Sequence, residues 1–186
     1  MTDLIPLTAL GRDAPREVRF GGLQLREMSA MALASLTVAG EAELPQPFGL
    51  TLPEPGHWRE GAEAAALWIG PRQWLIVAEG RAEEDFAAHL KAACPGAYVT
   101  EQTDAWVIVE ISSEDGAAID ALLERLVNLS PAAVRPGRAT RTLLGHLSVF
   151  VIRPAPERLM VLGMRSAAGS LWHDLESAVR RQAARA

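Results

Sequence analysis

The sequence predicts an α+β fold: a single domain of repeated β-β-α units, with a mixed or antiparallel sheet carrying helices on one face. Three observations predict it. Short apolar runs rich in β-forming residues recur in pairs around Gly, Pro or Asp steps, and each pair is followed by a segment whose apolar residues recur at helical spacing. The third observation is size. A chain of 186 residues, 49% hydrophobic and 22% charged, can bury one genuine core and would be cramped as two domains.

Residues 1–17 carry Pro6, Gly11 and Pro15 without periodicity and are expected to be a loosely ordered arm, or a strap laid on a partner, before the domain at 18–186. Residues 23–28 and 31–38 can form two strands, the second ambiguous with helix because of its alanines. The segment 41–61 holds Pro45, Pro47, Pro53 and Pro55, four of the twelve prolines, so it predicts a long extended or turning loop. "ALWIG" and "QWLIVA", separated around Gly70, Pro71 and Arg72, predict an antiparallel hairpin over 67–78. A helix follows, with three acids in its first turn, Phe86, Leu90 and Ala93 on one face, Lys91 late, and Pro95-Gly96 as the stop.

The same order then returns. "AYVTEQ" and "AWVIVEI" flank Thr103-Asp104, and Ser112 with Asp115 opens a helix bearing Ile119, Leu122, Leu123, Leu126 and Val127. A third copy uses "TLLGHLSVFVI" and "RLMVLGM" around Pro154 and Pro156. Its helix starts near Ser166 with Leu171, Leu175 and Ala178 in register and Arg180, Arg181 and Arg185 near its end. The arrangement is closer to a ferredoxin-like sheet than to a doubly wound one.

Several function classes are excluded by composition. A net charge of -5 provides no broad basic surface for nucleic acid or anionic lipid, and no run approaches the ~18 apolar residues of a membrane span. With no signal-peptide pattern at the amino terminus, the expectation is a cytoplasmic protein. Cys94 is the lone cysteine, and His57, His89, His146 and His173 are scattered singly, so no metal site is expected. No G-x-G-x-x-G, Walker or G-x-S-x-G motif occurs, and neither catalytic nor cofactor-binding residues are assigned. Arg135, Gly137, Arg138 and Arg141 form the densest basic stretch outside the tail, able to grip one anionic group or to sit as a solvated loop. Trp68, Trp74 and Trp106 on predicted strands can fill the core or form a platform for a planar ligand. Phe48 and Trp58 in the Pro-rich loop, joined by Arg135 and Arg138, are the candidate partner interface, because large rigid rings make good anchors; the alternative is a loop folded on its own domain.

"LWIGPRQWLIV", "VTEQTDAWVIVEIS", "LLERLVNLSPAAVRPGRATRTLLGHLSVFVIR" and "MRSAAGSLWHDL" together resemble the gamma subunit of heterotetrameric sarcosine oxidase over roughly residues 20 to 180. Gly70, Pro71 and Trp74, the Thr103-Asp104-Ala105-Trp106 step, Pro136-Gly137, and Arg165-Ser166 followed by Trp172 carry the resemblance. It implies a fold similar to the folate-binding domain of aminomethyltransferases. It also implies a place beside alpha, beta and delta subunits in a complex that oxidatively demethylates sarcosine to glycine, releases hydrogen peroxide and passes the one-carbon unit to tetrahydrofolate. In such complexes FAD, NAD and FMN sit on the alpha and beta chains and zinc on the delta chain, which leaves a non-catalytic role here. The alternative is a free-standing folate-binding or aminomethyl-transferring protein. For that role Glu101, Asp104 and Glu110 are the nearby acids, and Glu110 is the first candidate to pair a pteridine. A small binding module unrelated to one-carbon metabolism is a third reading.

Overall fold

The fold was obtained as a computed structural model describing residues 6–184, so residues 1–5 of the expected arm and Arg185 of the third helix lie outside the described residues. Eleven strands and three α-helices are present among the described residues. The strands are β1 (Glu17–Phe20), β2 (Leu23–Glu27), β3 (Met31–Thr37), β4 (Trp58–Glu60), β5 (Ala65–Gly70), β6 (Gln73–Glu79), β7 (Tyr98–Glu101), β8 (Trp106–Ser113), β9 (Arg138–Leu144), β10 (Leu147–Ala155) and β11 (Arg158–Met164). The helices are α1 (Phe86–Ala93), α2 (Gly116–Leu126) and α3 (Ala168–Ala183).

The class is α+β, as the sequence predicts, but the strands divide into two antiparallel sheets instead of one. A six-stranded sheet has the order β1-β2-β8-β11-β10-β9, and a five-stranded sheet the order β4-β5-β6-β3-β7. They stack face to face on a core that includes Leu33, Leu67, Leu75, Ile108, Phe150, Ile152 and Leu162. The outer face of the six-stranded sheet is covered by α2 and α3 through Ile119, Leu122, Leu171, Trp172 and Leu175. The outer face of the five-stranded sheet is covered by α1 through Phe86 and Leu90. Each sheet therefore carries helices on one face and its partner sheet on the other. That double cover explains why β6 and β8 are nearly continuous apolar runs and not alternating ones.

The hairpin predicted at 67–78 is β5-β6, with Trp68 opposite Trp74. Arg72 occupies the left-handed region at its turn (φ 55°). Trp74 is buried on the α1 side of the sheet. The second predicted β-β-α unit is not a hairpin. β7 pairs with β3 in one sheet and β8 with β2 and β11 in the other, so Thr103-Asp104 marks a crossing between sheets. In the third unit, "TLLGHLSVFVI" is folded back at Gly145 (φ 57°) into the separate strands β9 and β10. The acids expected in the first turn of the helix after β6 precede α1, whose N-cap is Asp85, accepting from the Ala88 amide at 2.9 Å. Asp115 caps α2 in the same way, accepting from the Ala117 amide at 2.9 Å.

The described part of the arm lies on its own domain. Glu27, only 1% exposed, accepts from the Leu10 amide at 3.0 Å and the Arg16 amide at 3.1 Å. The Pro-rich loop is likewise folded onto the chain: Leu50 and Leu52 are buried, and Trp58 opens β4 against β5.

Candidate functional site

β2 and β8 are neighbours in one sheet, and β3 and β7 are neighbours in the other. The two crossings between sheets, at 28–30 and 102–105, therefore lie side by side. Hydrogen bonds tie them to the strands: the Met28 amide donates to the Ile108 carbonyl at 2.9 Å, and the Gln102 amide to the Leu33 carbonyl at 2.8 Å. The Thr103 hydroxyl oxygen accepts from the Leu33 amide at 2.9 Å. With arm residues 6–9, 13 and 15 above them, these crossings line a cleft of about 450 Å³.

Arg165, at the end of β11, bridges the arm and the second crossing. Its Nη2 donates to the Leu7 carbonyl at 3.0 Å, and its Nη1 lies 3.6 Å from Asp104 Oδ1. Two sequence motifs sixty residues apart thus meet at one mouth. Trp106 packs its ring edge-on against Phe150, centroids 6.2 Å apart, and its buried indole Nε1 has no hydrogen-bond partner. Glu101 holds the crossing from below, accepting from the Gln102 and Thr103 amides, the Thr103 hydroxyl and the Ala87 amide. Burial pushes its carboxyl up, but those hydrogen bonds outweigh it and hold the group below the ordinary carboxylate range.

The polar and charged side chains that line the cleft include Ser29, Asp104 and Arg165, whereas the Trp106 Nε1 is sealed from solvent. Its lining holds neither His nor Cys, and Glu27 spends both oxygens on the arm. Among the described residues no group of three His, Cys, Asp or Glu side chains could hold a metal ion.

The four candidate interface residues are not gathered in one exposed patch. Trp58, expected as an exposed anchor, is 7% exposed and packs between the sheets, because pairing of β4 with β5 turns its ring inward. Phe48 is half-buried on the opposite side of the five-stranded sheet. It stacks on Phe86 with centroids 6.1 Å apart, and the Arg81 guanidinium covers both rings. Arg138 directs its guanidinium at the His57 ring. Arg135 alone is exposed. No local pattern marks the joining of the Pro-rich loop to the Arg135–Arg138 turn. The Trp58 amide donates to the Gly137 carbonyl at 2.9 Å and the Ala139 amide to the Gly56 carbonyl at 3.1 Å. Among the described residues, the large apolar side chains that do face solvent are Leu7, Leu44, Tyr98, Leu143 and Met164. Tyr98 and Leu143 stand on the edge strands β7 and β9, a position visible only once the strand order is known.

Glu110 is committed to Arg158: its Oε2 accepts from Nε at 2.9 Å and from Nη2 at 2.7 Å. Burial alone works to lower the Arg158 pKa, and the Glu110 carboxylate, with Glu60 and Glu79 further off, more than reverses it. Burial pushes the Cys94 thiol up, away from reactivity.

No protein-family model matches the sequence, and a search of curated proteins finds no match. Solved structures do match. A chain of the heterotetrameric sarcosine oxidase from Corynebacterium sp. U-96, in complex with pyrrole 2-carboxylate, superposes with a TM-score of 0.71 at 20% identity over 90% of this chain and 89% of that one. The glycine cleavage system aminomethyltransferase T from Bartonella henselae superposes with a TM-score of 0.60 at 15% identity over 87% of this chain. This chain spans only 50% of that enzyme's length. The fold is therefore the one shared by a sarcosine oxidase chain and by part of an aminomethyltransferase.

Proposed function

We propose that this chain is a non-catalytic gamma-type subunit of a heterotetrameric sarcosine oxidase. Its role is assembly beside alpha, beta and delta chains, in a complex that uses FAD, FMN, NAD and tetrahydrofolate. The observation that carries the reading is the mutual coverage of the fold match: about nine-tenths of this chain corresponds to about nine-tenths of one oxidase chain, whereas it corresponds to only half of the aminomethyltransferase. The motif order quoted from the sequence supports the same family. In the alternative, a free-standing folate-binding or aminomethyl-transferring protein, a carboxylate must be free to pair the pteridine. Glu110 is held by Arg158 and Glu101 by four donors, which disfavours both for that role and leaves Asp104, at the mouth of the cleft, as the open acid. The complex is expected to be cytoplasmic; among the described residues no helix is long and apolar enough to cross a membrane.

The test is co-expression with alpha, beta and delta chains of such an oxidase, followed by gel filtration and a peroxide assay with sarcosine. The chain should elute with the flavin-containing complex, and the lone chain should show neither flavin bands nor turnover. Failure to co-elute, together with tight saturable binding of tetrahydrofolate to the lone chain, would install the alternative. Failure to co-elute without folate binding would leave the unrelated binding module.

A further inference from the structure

Behind the six-stranded sheet, away from the cleft, a cavity of about 400 Å³ opens between α2 and the turn at 131–136. Leu123, Val127, Leu129, Val134 and Pro136 make its walls apolar. Arg153 of β10 also lines it and is only 2% exposed. The hydrogen bonds of its guanidinium all go to neutral backbone carbonyls: Nε to Ala155 at 2.9 Å, and Nη2 to Pro156 and Gly116. Nη1 makes none. Asp120 Oδ1 lies 2.9 Å from it, an ion pair by distance but off the line of a hydrogen bond, on a carboxylate that is 69% exposed.

A guanidinium enclosed by apolar walls, with Nη1 outside any well-aligned hydrogen bond, is an expensive arrangement, and a well-aligned anion relieves it. Asp120 relieves it poorly, because a solvated carboxylate is screened and held loosely. A cavity of this volume suits a small molecule and not a chain segment. Arg135, exposed at the rim, supplies a second cation, while Asp120 and Glu124 on the same rim disfavour a multiply charged head.

We propose that this cavity binds a small amphipathic monocarboxylate, its apolar body between Leu123, Val134 and Pro136 and its carboxylate on Arg153 Nη1 in place of Asp120. The site is independent of the assembly role. Titrating the full ¹⁵N-labelled chain with octanoate should shift the amide signals of α2 and residues 129–136 saturably, and octylammonium should not. Asp120→Asn, at an exposed position, should tighten octanoate about fivefold by removing a competing charge, and Arg135→Ala should weaken it. Val134→Trp should abolish binding by filling the cavity, without touching the buried arginine. Absence of saturable octanoate shifts, equal binding of octylammonium, or an Asp120→Asn variant that binds no better overturns the proposal.

Discussion

The indole Nε1 of Trp74 donates to the backbone carbonyl of Pro53 at 2.8 Å inside the protein. The hairpin tryptophan is thus both a core side chain beneath α1 and the pin that fixes the Pro-rich segment to the sheet. Trp74→Phe keeps most of the ring and leaves the buried carbonyl unpaired, so urea unfolding should record a loss of about 1–3 kcal/mol. Trp74→Ala should lose about 3–5 kcal/mol by emptying the site. Limited proteolysis should cut both variants first within 41–57. A Trp74→Phe protein as stable as the wild type would mean that the bond holds nothing in place.

A second pin fastens the arm. Glu176 Oε2 accepts from Arg16 Nη2 at 2.9 Å and from the Trp172 indole at 2.8 Å, and the Arg16 guanidinium lies 4.8 Å from the Trp172 ring centroid. Glu176→Ala removes the acceptor from a fully buried tryptophan and the anion from Arg16. It should cost about 1–3 kcal/mol and expose the arm to protease near Arg12 and Arg16. Glu176→Gln, which can still accept from the indole, should recover part of the stability. Equal losses in the two variants would argue against the indole bond as the important one.

What the sequence discloses about this fold is what is local. Gly70-Pro71 between runs too short for helices marks β5-β6, and 3.6-residue spacing marks α1, α2 and α3. The division into two sheets is not local: "AYVTEQ" and "AWVIVEI" read the same whether they pair with each other or with β3 and β2. The candidate cleft was legible only through Asp104, Trp106 and Arg165, with no hint that they converge. Nothing local marks Glu27 as buried, because an acid ending a strand is ordinarily solvated, and here the arm covers it. The inward turn of Trp58 is not legible because proline content reports an extended backbone without saying which face is buried.

Gly163 sets how closely α3 approaches the sheet. A Cβ there would stand 2.8 Å from Leu171 Cδ2 and 3.6 Å from Val149 Cγ1, and Leu171 is itself fully buried. Gly163→Ala should therefore destabilise the chain by about 1–3 kcal/mol despite alanine's better backbone preference. Leu171→Ala added to it should cost less than Leu171→Ala alone, because the new methyl occupies part of the vacated space. Strictly additive losses in chemical denaturation would contradict this packing.

The crossing between sheets should respond to acid through Glu101. Its folded pKa lies below the ordinary value of 4.5, held down by the Thr103 hydroxyl and three amides against the opposing effect of burial. A carboxyl depressed on folding binds fewer protons in the native state than in the unfolded one. Its stabilising effect is therefore fully present above 4.5 and is lost as pH falls through the folded value. Glu101→Gln cannot titrate, so its melting temperature should lie below that of the wild type at pH 7, and the gap should narrow as pH falls below 4.5. The loss at pH 7 should be accompanied by faster amide exchange at Gln102, Thr103 and Ala87, whose donors lose a charged acceptor. A gap that stays constant from pH 7 to pH 3 would show that Glu101 supports the crossing through shape alone, and not through its charge.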